Sequence, residues 1–102
     1  MPKIKINESD YHSHIIARMN QHGINKEEVE ETLNNGWQAD DVKPGIYGKT
    51  FVIPYNKEWE EKYFEEKEVR VYYKVVNNEI VLLTVKARYG RNFSRGEKRN
   101  ED

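Results

Sequence analysis

The 102-residue sequence contains no cysteine. That excludes a disulfide framework, a thiolate zinc site and a cysteine nucleophile together, and it fits a reducing compartment. Long apolar runs are missing as well. A secretory signal needs an apolar stretch of roughly 7–15 residues, and the opening residues MPKIKINE hold none. Nothing approaches the ~20 apolar residues of a membrane-spanning helix. The expectation is a soluble, cytoplasmic protein with no membrane partner. Neither sign of charge dominates. The net charge is -1, which, taken whole, argues against a nucleic-acid binder.

Several motifs are absent too. No glycine-rich loop is present to cradle phosphate; Tyr89-Gly90-Arg91 holds a single glycine. There is no Gly-x-Ser-x-Gly elbow, and no helix-turn-helix or zinc-finger pattern. His12-x-His14 makes a poor metal pair, because residues i and i+2 on a helix point apart. Two ring nitrogens without a third ligand do not form a catalytic zinc site. Neither metal nor cofactor is expected.

What is present begins with aromatics. Seven Tyr, three Phe and two Trp supply much of the core in a chain that is 36% hydrophobic, because each ring buries a large area. The length is that of one domain, expected over residues 1–91, with 92–102 a flexible charged tail. Charge is unevenly placed. Residues 57–68 carry six Glu against three Lys, and residues 86–99 carry six Lys or Arg against one Glu. A basic anion site with an acidic back side would produce that pattern.

The periodicity predicts an α+β fold with two N-terminal helices packed on an antiparallel sheet of about three to four strands. Residues 3–6 form a short edge strand or lead into the first helix. That helix, about 10–22, is capped by Ser9 or Asp10, buries Ile15, Ile16 and Met19, and stops at Gly23. His22 sits at its C-terminus, where the helix dipole favours a cation and a structural role suffices. Asn25 and Glu28 have capping-box spacing for a second helix, whose inner face holds Val29, Thr32 and Leu33. Residues 37–47 read as a loop. Residues 48–54 read as a strand closed by Pro54. The acidic stretch 56–66 reads as helical turns or a long hairpin loop.

The clearest signal is a C-terminal hairpin, residues 68–76 and 80–89, both alternating. Val69, Val71, Tyr73 and Val75 share one face, as do Val81, Leu83, Val85 and Ala87. Side-chain parity decides the register. A two-residue Asn77-Asn78 turn would put these sets on opposite faces, whereas a three-residue loop through Glu79 keeps them together and is preferred. Tyr72 then opposes Thr84, Arg70 opposes Lys86, and Glu68 opposes Arg88. The polar face gathers Arg70, Tyr72, Lys74, Thr84, Lys86 and Arg88, with Glu68 as its one acid. Clustered cations around a hydroxyl form a phosphate site, since Arg presents a planar fork and Lys a point charge. Arg and Lys on exposed strand positions also serve merely to guard an edge. His14 and Arg18, four apart, share a helix face, and His14 suits proton transfer near neutrality.

His14-Ile15-Ile16-Ala17-Arg18-Met19, then His22-Gly23-Ile24 and Glu27-Glu28-Val29, resembles the opening helices of a widespread bacterial domain of unknown function. Val69-Arg70-Val71-Tyr72-Tyr73 and Glu79-Ile80-Val81-Leu82-Leu83-Thr84-Val85 resemble its C-terminal hairpin. That family is grouped with the barnase–EndoU–colicin–RelE superfamily of small ribonuclease toxins. The resemblance implies a RelE-like fold and metal-independent RNA cleavage by attack of the 2′-hydroxyl on the adjacent phosphate. The polar hairpin face and the first helix hold residues suited to that chemistry, which places catalysis at His14, Tyr72, Thr84 and Lys86 and substrate binding at Arg18, Arg70, Arg88 and Arg91. The implied partners are RNA, either tRNA or ribosome-associated mRNA, and a cognate immunity or antitoxin protein. A competing reading is a non-catalytic phage- or plasmid-encoded inhibitor that docks through exposed Trp59, Tyr63 and Phe64. A third is a nucleic-acid-binding module that needs the basic face but not His14.

Overall fold

A computed structural model describes residues 11–93. The expected strand at 3–6, the Ser9 or Asp10 cap and residues 94–102 of the tail lie outside the described residues. Helix α1 spans Ser13–His22, starting later than a cap at Ser9 or Asp10 implied. His12 is its N-cap, in extended conformation and without a side-chain cap bond; its carbonyl accepts the Ile16 N–H at 2.9 Å. The helix ends at Gly23, whose φ of 71° is left-handed. A Cβ there would also lie 2.5 Å from the Trp59 ring, so both conformation and space demand glycine. Helix α2, Lys26–Asn35, opens with the complete capping box: Asn25 Oδ1 accepts the Glu28 N–H at 2.8 Å, and Glu28 Oε1 accepts the Asn25 N–H at 3.1 Å.

Four strands follow in antiparallel order β1-β2-β3-β4: Trp37–Gln38, Tyr47–Trp59, Lys62–Val76 and Glu79–Gly90. Three depart from the sequence expectation. The start of the 37–47 loop is a two-residue strand, pairing Trp37 with Thr50 and Gln38 with Lys49. Pro54 does not close β2, because it stands where β2 has lost its β1 partner and a bulge begins, running to Lys57. Such open, irregular positions tolerate a missing N–H. The acidic stretch 56–66 is neither helix nor long loop. Strands β2 and β3 continue through it to Trp59 and Lys62, joined by Glu60 and Glu61 at φ 53° and 73°. Positive φ at both central residues is the geometry that suits the twist of a two-residue hairpin.

The β3–β4 turn is also two residues, Asn77 and Asn78 at φ 53° and 66°, not the three-residue loop preferred on parity. The parity argument survives by another route. Val76 opposes Glu79, Val75 opposes Ile80 and Tyr73 opposes Leu82; the register then slips by one residue, so that Tyr72 opposes Thr84. Leu83 is the extra residue of this β-bulge. Beyond it the predicted pairs Tyr72–Thr84, Arg70–Lys86 and Glu68–Arg88 all form. Leu82 rather than Leu83 therefore enters the core, and Val75 is left exposed.

Both helices pack on one face of the sheet. Ile15, Met19, Ile24, Val29 and Leu33 meet Val69, Val71, Leu82 and Val85 in a single apolar cluster. Lys67 also reaches this side. Its side chain is 2% exposed, and its ammonium donates to Glu28 Oε1 at 2.8 Å and to the Gly23 carbonyl, beneath the rings of Tyr55 and Tyr89. One buried cation thus ties the helix–helix junction to β3.

Candidate functional site

Strand alternation turns Glu68, Arg70 and Tyr72 of β3, and Thr84, Lys86 and Arg88 of β4, away from the helices. This face is not open. The loop of residues 39–46 folds back across it, anchored where the Ala39 N–H donates to the Gly48 carbonyl at 2.9 Å. Gly48 leaves the room: a Cβ there would lie 3.0 Å from Ala39 and Val42 side chains and 3.1 Å from the Tyr72 ring.

The loop delivers Asp41. Its carboxylate accepts the Tyr72 hydroxyl at 2.9 Å, pairs with Arg70 Nη1 at 3.0 Å and lies 3.7 Å from Lys86 Nζ. Burial acts to raise the Asp41 pKa. The Tyr72 hydrogen bond, the Arg70 charge, its own backbone N–H and Lys86 outweigh that, and the carboxyl is held below its ordinary value. Glu68 is buried on the floor between two arginines. Its Oε1 accepts from Arg88 Nε at 2.9 Å and from Arg70 Nε at 3.3 Å. Glu68 is therefore not the one acid of this face, as strand composition alone suggested. Asp41 arrives from a loop that alternation cannot place, and Asp40 stands 3.9 Å from Arg70.

Asp41, Glu68, Arg70, Lys86 and Arg88 line a cleft of about 290 Å³. Beside it, sharing Asp41 and Lys86, lies a second cavity of about 340 Å³, lined also by Val42, Ile46, Tyr72, Leu83 and Thr84. The cations differ in freedom. Arg70 is held from two sides, while Lys86 and Arg88 are about half exposed or more. Lys86 Nζ also sits 5.4 Å above the Tyr72 ring. Two guanidinium forks and an ammonium facing one cleft can take the oxygens of a phosphate. The two carboxylates hold those cations in place.

The structure thus brings together five of the eight residues expected at the site: Tyr72, Thr84, Lys86, Arg70 and Arg88. The other three stand elsewhere. His14 is exposed on α1, which packs against the opposite face of the sheet; its ring stacks 6.2 Å from that of His12. Arg18, on the same helix, bonds Gln21 at 3.1 Å. Arg91 lies past the end of β4, 3.9 Å from Glu65. Asp41 is the residue that sequence reasoning missed. The available signal was apolar Val42 and Ile46 inside a loop, which together need something to cover.

The exposed aromatic patch that the competing inhibitor reading requires at 59–64 does not form. Trp59 and Phe64 pack on Tyr89 at 4.9 and 5.7 Å between ring centres, leaving Tyr63 alone exposed. Burial pushes the Tyr89 phenol well above its usual range, and its hydroxyl donates to the His22 carbonyl at 2.6 Å. Among the described residues no three His, Asp or Glu side chains stand close enough to hold a metal ion, and no helix is long and apolar enough to cross a membrane.

The chain belongs to a family described as a domain of unknown function, DUF4258, whose model matches residues 11–86. The match takes in both helices, the covering loop and the strands up to Lys86. No curated protein and no solved structure matches it.

Proposed function

We propose that the protein is a small endoribonuclease of the bacterial toxin type, within the barnase–EndoU–colicin–RelE superfamily, and that it cleaves RNA without a metal ion. One observation carries the reading: Arg70, Lys86 and Arg88 converge on one cleft that also holds an accessible carboxylate, Asp41. The resemblance of both helices and of the hairpin to a domain family grouped with that superfamily supports it.

In this reading a scissile phosphate displaces Asp41 from Lys86, whose 3.7 Å separation is already loose. The 2′-oxygen forms its bond to phosphorus as the bond to the 5′-oxygen breaks. The Asp41 carboxylate takes the proton of the 2′-hydroxyl, and the Lys86 ammonium gives one to the leaving oxygen. Arg70 and Arg88 stabilise the extra charge on the phosphoryl oxygens. Tyr72 orients Asp41, and Glu68 holds the arginines. Thr84 lies within reach of the sugar or base. His14, across the sheet, has no step. The substrate would be tRNA or ribosome-associated mRNA, and an immunity or antitoxin protein would act by covering the same cleft.

The test is incubation of the purified protein with total bacterial RNA in EDTA, beside Lys86→Ala and Arg70→Ala. Wild-type cleavage leaving 2′,3′-cyclic phosphate ends is expected, with each variant slower by about 10²–10³-fold. RNA that is bound but uncut would refute catalysis and leave a nucleic-acid-binding module.

A further inference from the structure

The second cavity is built by an irregularity. Regular alternation would give this face only Tyr72 and Thr84 where the two strands meet. The bulge inserts Leu83, so that Leu83 and Thr84, adjacent in sequence, both line the same space. Val42 and Ile46 of the covering loop form the opposite wall. The result is a hollow whose exposed surface is mainly apolar, with the aliphatic side chains of Val42, Ile46 and Leu83 set among Asp41, Lys43, Tyr72, Thr84 and Lys86. It opens directly onto the cationic cleft across Asp41 and Lys86, which line both. Bulges are found beside sites where a side chain must be re-aimed, and apolar pockets with a few polar groups are the usual form of small-ligand sites.

A ligand that fills both spaces must carry an anionic group next to an apolar one. Resting on the phosphodiester reading above, we propose that the Val42–Ile46–Leu83 slot is a nucleobase subsite: it takes one unpaired base while the adjoining phosphate lies among Arg70, Lys86 and Arg88. Thr84 and Lys43 supply the hydrogen bonds to the base edge. A base can enter only after leaving its stack, so the substrate is single-stranded, and duplex RNA is excluded. The Tyr72 face is covered by Lys86, so the base rests on the Val42, Ile46 and Leu83 side chains rather than stacking on a ring.

Binding can be read without cleavage. Adenosine and uridine 5′-monophosphates are titrated against ribose 5-phosphate, which offers the same phosphate with no base. Amide chemical shifts follow both spaces. The expected result is that at least one nucleotide binds about tenfold or more tighter than the sugar phosphate and alone moves Val42, Ile46 and Leu83. Leu83→Ser, which adds no charge beside Lys86, should erase the difference while ribose 5-phosphate affinity stays within about twofold. Because Leu83→Ser alters the bulge, Ile46→Ser on the facing loop is the second variant, with the same expectation. Equal binding of nucleotides and sugar phosphate by the wild type would overturn the subsite, as would an unchanged preference in both folded variants. Discrimination by a protein that leaves RNA uncut would support the subsite and sink only the cleavage.

Discussion

Replacing Lys67 by Met keeps the length of the stem and removes one buried charge. Four groups feel the change. Glu28 Oε1 loses a partner at 2.8 Å, the Gly23 carbonyl loses its donor, and the Tyr55 and Tyr89 rings lose a cation 5.6 Å from each centre. Breaking a fully buried pair from one side costs about 3–5 kcal/mol. Glu28 is 18% exposed and keeps its bond to the Asn25 N–H, so water and the cap recover part of that. The expected loss is about 2–3 kcal/mol. For a chain of this size that lowers Tm by roughly 10–15 °C. Glu28→Gln preserves the capping-box acceptor and removes the charge. The double variant should therefore lose less than the sum of the singles, with a coupling of about 1–2 kcal/mol. Urea denaturation of the four proteins measures this directly. Lys67→Met within about 0.5 kcal/mol of the wild type, or additive singles, would show that the pair does not hold the helix junction to the sheet.

The Asp41 carboxyl is held below its ordinary value of 3.8. A depressed folded pKa gives stability that is complete above the unfolded value and disappears as pH falls through the folded one. Asp41→Asn should thus be less stable than the wild type by about 0.5–1 kcal/mol at neutral pH, a figure discounted because the side chain is 41% exposed. That gap should close in acid, below about pH 4; a gap independent of pH would refute the charge network. Gly48→Val drives methyl groups into Ala39, Val42 and Tyr72. It should cost about 1–3 kcal/mol and speed hydrogen exchange at Ala39, whose N–H bonds Gly48, so unchanged protection there would count against the seating of the loop. The Thr50 hydroxyl is buried with no hydrogen-bond partner among the described residues. Thr50→Val should therefore leave stability unchanged or raise it by up to about 1 kcal/mol, and a clear loss by thermal melting would mean the hydroxyl is satisfied.

Much of the site was legible in the strands and little of it outside them. Alternation put Arg70, Tyr72, Thr84, Lys86 and Arg88 on one face, because in a strand the side of each residue follows from counting. His14 met the requirement of chemistry but not of place. A helix residue's distance from a strand residue depends on which face of the sheet the helix covers, and the apolar stripe Ile15–Met19 took α1 to the Val69–Val71–Val85 side. Asp41 was illegible for the complementary reason: a loop has no period from which to read direction.

The sequence by itself determined the helices and their caps, since Asn25, Glu28 and Gly23 act on neighbours a few residues away. It determined the polar and apolar faces of the hairpin for the same local reason. Tertiary structure decided where strict alternation yields. The Asn77-Asn78 turn and the demand that Val71 and Val85 share the core cannot both be met by a regular ladder, and the Leu83 bulge reconciles them. It also decided that β2 and β3 run on to Trp59 and Lys62, because pairing with another strand, rather than local preference, satisfies that acidic backbone. The closing of the 39–46 loop over the cations belongs to the same class. Its contact with Tyr72 joins residues 31 apart in the chain, and the free energy of that contact exists only once the sheet has formed.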